Sequence, residues 1–219
     1  MTKVRFIGDV HGKFEPYKKL IKDVEHSRQV GDFGVGFFRW DYHEAKKIAS
    51  TNPPYDAIMK GDHKFIRGNH DNPHVCQQQS YWIPDGTIEV INGTKIMYVG
   101  GGISIDRDWR TEGYDYWADE ELSYHKLQEI ITLYEVEKPD VMVSHEIPEE
   151  MAKVIEVLSG RRKLDIDSRT RQAFDGMLYL HQPKLWIHGH WHYSYSHEYK
   201  GTMFRGLGEL EFIDIDFKE

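Results

Sequence analysis

Five short strand-like runs in this chain each stop at side chains able to bind a metal, and that repetition constrains the fold more than any other feature. Val4–Gly8 hands over to Asp9 and His11, Arg28–Gly31 to Asp32, and His63–Arg67 to Asn69 and His70 beyond Gly68. Val141–Val143 leads through Ser144 to His145, and Leu185–Ile187 leads through His188-Gly189 to His190 and His192. Short apolar runs closed by glycine or polar residues read as buried strands. In an α/β protein, ligands bind in the crevice beyond the carboxyl ends of such strands. The expectation is therefore an α/β fold that gathers five strand ends around one site.

The intervening segments carry the helical period. Tyr17, Leu20, Ile21 and Val24 predict a helix from Phe14 to about His26, and Asp41 with Glu44 forms a capping-box pattern for one running to about Ser50. Leu127, Ile130, Ile131 and Tyr134 place a helix over Asp119 to about Val136. Met151, Val154, Ile155 and Leu158 mark the next after Pro148, and Phe174, Met177 and Leu178 one more before Pro183. Thr87–Ile91 and Lys95–Val99, joined by Asn92-Gly93, predict a β-hairpin. The tail from Tyr193 to Phe217 reads as antiparallel strands. From Gly100 to about Ala118 the chain is rich in Asp, Arg, Trp and Tyr, too polar for core and long enough to suggest a functional loop.

With 219 residues, 39% of them hydrophobic, the chain suits a single domain spanning 1–219 with a substantial core. A net charge of -8 argues against general nucleic-acid binding, although bound divalent cations would reverse the sign inside an acidic site. Cys76 is the only cysteine, which excludes an intrachain disulfide and a thiolate metal cluster and fits a reducing, cytoplasmic setting. No signal peptide is read at the N-terminus, and no apolar run of ~20 residues could span a membrane.

The candidate ligands are carboxylate, amide and imidazole without sulfur, a set suited to manganese, iron, zinc, nickel or cobalt. In Asp9-x-His11 and His190-x-His192 the i, i+2 spacing puts both side chains on one side of an extended segment. Gly8, Gly12, Gly31, Gly68 and Gly189 allow close backbone approach beside them.

The ordered blocks Asp9-x-His11, Gly31-Asp32, Gly68-Asn69-His70-Asp71, the lone His145 and Gly189-His190-x-His192 resemble the calcineurin-like metallophosphoesterase superfamily. Gly101-Gly-Ile-Ser-Ile-Asp-Arg107 adds to the likeness with its small bacterial and bacteriophage members. The resemblance implies an αββα sandwich of two mixed sheets flanked by helices. It implies two divalent transition-metal ions, manganese foremost, one held by Asp9, His11, Asp32 and His192 and the other by Asp32, Asn69, His145 and His190. Two such ions ~3.5–4 Å apart would clamp phosphoryl oxygens and activate a bridging water to attack a phosphomonoester or phosphodiester, a nucleotide among the candidate substrates. His70 would be left as general acid, with Asp71 orienting it or bracing the loop.

One departure matters. Many relatives follow Gly-Asp with an Asp that partners the catalytic His and an Arg that grips phosphate, places taken here by Val35 and Gly36. The grip then passes to Arg39, Arg107 or Arg110. That departure weighs against a serine/threonine protein phosphatase, one alternative. Retention of His70 weighs against the other, a non-catalytic interaction module like the retromer scaffold subunit. Histidines outside the blocks, such as His63 and His188, are read as structural. Trp109, Tyr114, Tyr116 and Trp117 either pack the loop or stack on an aromatic group.

Overall fold

The computed structural model describes residues 1–41, 46–49, 52–160 and 166–218, with backbone alone over 38–41 and 46–49. Two sheets carry the architecture. In the smaller, β1 (Thr2–Ile7), β2 (His26–Gln29) and β5 (Asp62–Phe65) run parallel, and β12 (Phe212–Phe217) lies antiparallel against β1. The larger is built on β7 (Thr94–Val99), β8 (Val141–Ser144), β9 (Leu185–His188) and β11 (Thr202–Gly206), all parallel. Its edges are the antiparallel strands β6 (Thr87–Ile91) and β10 (Tyr195–Tyr199). A separate antiparallel pair joins β3 (Phe38–Asp41) to β4 (Lys46–Ala49).

Because side chains alternate along a strand, each sheet supplies two apolar faces. Val4 and Phe6 of β1, Ile96 and Tyr98 of β7 and Val141 and Val143 of β8 meet in the layer between the sheets. Met97, Met142, Trp186 and Phe204 face outward, onto α4 (Tyr124–Glu137), α5 (Glu149–Ser159) and α6 (Arg169–Leu180). Ile7 and Phe65 face the other way, with Phe14, Tyr17 and Ile21 of α1 (Phe14–Ile21) and Ile58 of α2 (Tyr55–Ile58). Burial on both faces is why β8 and the first three residues of β9 read as apolar runs. The result is the αββα sandwich.

Several expectations change. In place of a helix from Asp41 to about Ser50 stands the β3–β4 pair, with 42–45 and 50 outside the described residues. The aromatic run ahead of Asp41 favours extended backbone, and cross-strand pairing overrides a capping box that is only a local signal. Helix α1 ends at Ile21 rather than near His26, because His26 opens the strand that pairs with β1 and β5. Helix α4 starts after Ser123, whose side chain accepts from the Lys126 amide, not at Asp119. In the tail, β11 joins the sheet parallel to β9. Short helices α2 and α3 (Pro73–Cys76) add to the elements read from the sequence, α3 capped by Asn72 with Pro73 in its first turn.

Arg28, 1% exposed, ties the two sheets together at one end. Its guanidinium donates to Asp62 of β5 at 2.6 Å and to both carboxylate oxygens of Glu89 of β6 at 2.5 and 3.0 Å. Burial raises the Asp62 and Glu89 carboxyls, but the guanidinium outweighs it and holds both below their ordinary range. Their contribution to stability is therefore present above the unfolded carboxyl range near ~4 and is lost as pH falls through the lower folded values. Arg28→Ala is expected to lower the unfolding free energy by about 3 kcal/mol near neutral pH. It should also flatten the acid limb of stability. Urea denaturation at several pH values checks both, and superimposable curves for the two proteins would refute a role for this link.

Candidate metal centre

The carboxyl ends of β1, β2, β5, β8 and β9 deliver Asp9 and His11, Asp32, Asn69, His145, and His190 and His192 to one place. One ligand atom from each of Asp9, His11, Asp32 and His192 lies within 4.8 Å of the others, and Asp32, His145 and His190 form a second such group. His192 Nε2 is 2.9 Å from Asp9 Oδ2 and 3.0 Å from His11 Nε2. Asp32 faces both groups, with Oδ1 3.3 Å from His145 Nε2 and Oδ2 3.9 Å from His11 Nδ1. Asn69 Oδ1 completes the second group, 3.0 Å from His145 Nε2.

Local backbone explains how these residues converge. Eight non-glycine residues among those described have positive φ, and four of them are His11, Asp32, His190 and His192. Such conformations cost ~1–3 kcal/mol each and persist where the surroundings enforce them. The neighbouring glycines give way to the ligands: a Cβ at Gly31 would land on the His145 ring, one at Gly68 on Asp32, and one at Gly189 on Asp9 Oδ1.

The donor set fits divalent cations. His145 Nδ1 lies 3.0 Å from the Val30 carbonyl, so a proton there points away from the site and leaves Nε2 bare before Asn69 Oδ1 and Asp32 Oδ1. Three acceptors facing one another call for positive charge among them. Burial lowers the His145 pKa, while Asp32 and Asp9 outweigh it and push it up to about 10. Burial raises Asp9 and Asp32 too, yet the imidazoles around them hold both carboxyls below the ordinary range.

Residues outside the five ligand blocks hold the candidate ligands in place. Asn69 Nδ2 donates to Ser104 Oγ at 2.9 Å; Ser104 donates from Oγ and from its amide to Glu120 at 2.6 and 2.9 Å. That chain decides which end of the Asn69 amide faces the site. Gln29 brackets Gly31, accepting from its amide and donating to its carbonyl. Ser104 lies inside the segment from Gly101 that reads as a polar loop, and only the glycines beside it hint at a buried backbone. In that loop Ile103, Ser104 and Trp117 are buried while Trp109 is 91% exposed.

The remaining expected residues divide. His70 borders a cavity of about 530 Å³ that also reaches Arg110, Ile105 and Trp191. Both terminal nitrogens of Arg110 lie 3.1 Å from His70, one at each ring nitrogen. A neutral imidazole has one bare nitrogen and accepts from only one of them. Burial lowers the His70 pKa to about 3, Arg110 adding to the shift and Asp32 opposing it. Asp106 holds Arg110 by a two-point contact at 2.6 and 2.9 Å. Arg107 is half exposed beside Asp108 and does not line the cavity. The Arg39 side chain lies outside the described residues. Asp71 does not orient His70: its carboxylate accepts from the amides of Phe33, Gly34, Val35 and Gly68 and so ties the loop after β2 to the loop after β5.

A comparison with curated proteins finds no match. Among solved structures, a Thermotoga maritima protein determined by NMR is 12% identical with a TM-score of 0.42, covering 100% of this chain and 93% of its own. GAP50, the anchor in the inner membrane complex of Plasmodium, is 13% identical with a TM-score of 0.49, covering 95% of this chain and 72% of its own. A novel archaeal phosphodiesterase is 12% identical with a TM-score of 0.39, covering 98% and 99%. These distant likenesses carry no functional weight. The family match does: residues 2–194 fit the family of calcineurin-like phosphoesterases, metal-dependent phosphoester hydrolases, and this chain belongs to it.

Proposed function

We propose that the chain hydrolyses phosphomonoesters or phosphodiesters at a pair of divalent transition-metal ions, manganese foremost, held by the two groups that share Asp32. The convergence of seven ligand-competent side chains on one strand-end crevice carries this reading. Bound there, the ions would supply Lewis acidity toward the phosphoryl oxygens and a water acidic enough to act as nucleophile near neutral pH.

The protein's own residues do the rest. Arg110 is the phosphate grip: it lines the cavity, and its planar fork suits two phosphoryl oxygens at once. In taking phosphate it must leave His70, because the same terminal nitrogens serve both. His70, released and 3.9 Å from Asp32 Oδ2, is then placed to donate a proton to the leaving oxygen. Asp71 acts on the site only through the backbone it braces. The cavity volume suits a nucleotide-sized ester, whereas the Val35 and Gly36 backbone lacks the groups expected of a protein phosphatase.

Manganese-loaded protein is expected to cleave p-nitrophenyl phosphate, its bis-ester, or both, and EDTA is expected to abolish that turnover. Failure on both substrates would end this reading. His70→Ala should lower kcat on an alkyl phosphate by ~10²–10³-fold and on a p-nitrophenyl ester far less, because the better leaving group needs no acid. Equal losses on the two would remove the acid role. Arg110→Ala should reduce kcat/KM by roughly 30-fold, the loss expected for charge-assisted hydrogen bonds worth ~2 kcal/mol. Arg107→Ala, measured in parallel, should leave it unchanged.

A further inference from the structure

Beside His190, in the wall of the same cavity, stands a carboxylate to which the reaction above gives no part. Glu146 follows His145 directly, is 1% exposed, and places Oε2 3.4 Å from His190 Nε2. Its other oxygen is committed: Oε1 accepts from the Trp191 indole at 2.8 Å and from the Ile147 amide at 3.0 Å. Arg171, also buried, brings Nε to 3.8 Å from Oε2, with Nη1 3.4 Å from Glu149 and Nη2 donating to the Ile166 carbonyl at 2.6 Å. The guanidinium stands beside the carboxylate without reaching hydrogen-bond distance of the oxygen that faces His190.

We propose that Glu146 is a positioning residue that fixes the tautomer of His190, holding the proton on Nε2 and leaving Nδ1 bare toward Asp32 and His145. The inference rests on the metal-pair reading above. A carboxylate can only accept, so at 3.4 Å it favours hydrogen on the ring nitrogen that faces it. The other nitrogen then offers its lone pair to the second group. His145 reaches the same condition through the Val30 carbonyl, so both imidazoles of that group have an acceptor set behind them.

Glu146→Gln separates tautomer control from simple anchoring. The amide oxygen can still accept from Trp191 and Ile147, which turns the amide NH₂ toward His190 and favours the proton on Nδ1. Long-range ¹⁵N–¹H correlation spectra of the metal-free protein near pH ~8, above the ordinary imidazole range, read the tautomer directly. The wild type is expected to show His190 protonated on Nε2 and the variant on Nδ1. Wild-type protonation on Nδ1, or the same tautomer in both proteins, would overturn the proposal.

Calorimetric titration with Mn²⁺ gives a second readout. Two binding events are expected in the wild type, and Glu146→Gln should weaken one of them by ~10–100-fold. The melting temperature of the metal-free variant should stay unchanged. Two undiminished events, or a weakening that tracks a fall in melting temperature, would reduce Glu146 to an anchor. A wild type that takes up no Mn²⁺ would sink the metal-pair reading, while the tautomer spectra would still decide the role of Glu146 toward His190.

Discussion

Asp9 and Asp32 are buried carboxylates with no lysine or arginine against them among the described residues, and the rest of the molecule answers that charge. The groups nearest them are imidazoles that face the same crevice: His11 and His192 for Asp9, and His11 and His145 for Asp32. Burying a carboxylate costs several kcal/mol unless positive charge and hydrogen bonds compensate. Imidazoles compensate only while protonated. Given up to a cation, the same nitrogens become ligands, so one arrangement serves both conditions.

Parallel strands make the arrangement possible. Five carboxyl ends on one rim, drawn from both sheets, bring together residues that span positions 9 to 192. Covered on both faces, the sheets are stiff supports, while the turns that leave them adopt the unusual backbone that aims each side chain. Asp71 binds two of those turns to each other, and Ser104 with Glu120 binds the long loop to Asn69. That loop therefore sets the orientation of an amide in the site at one end and carries Arg110 over His70 further on.

Much of this was legible in the residues. The runs ending at Asp9, Asp32, Asn69, His145 and His190 announced both the strands and their meeting point: β8 and β9 through their apolar pattern, and β2 and β5 through the glycine and polar residues that close them. The Asn92-Gly93 hairpin was equally plain, each residue adopting the positive φ the turn requires. The β3–β4 pair was not, since a capping box carries no information about a distant pairing partner. Ser104, Glu120 and Glu146 escaped notice for a related reason: their importance lies in what they touch across 16 to 45 positions of sequence. Nothing in the local pattern distinguishes a buried glutamate from a solvated one.

The left-handed backbone at His11, Asp32, His190 and His192 has a thermodynamic reach beyond the site. Strain held there raises the free energy of the folded chain, and an unfolded chain is free of it. A cation that binds the folded form alone shifts the folding equilibrium by mass action, by an amount set by its concentration relative to its dissociation constant. A metal held as proposed would then be a folding ligand as well as a reagent. Resistance to heat would then be a property of the solution as much as of the sequence, rising and falling with the free cation around the protein.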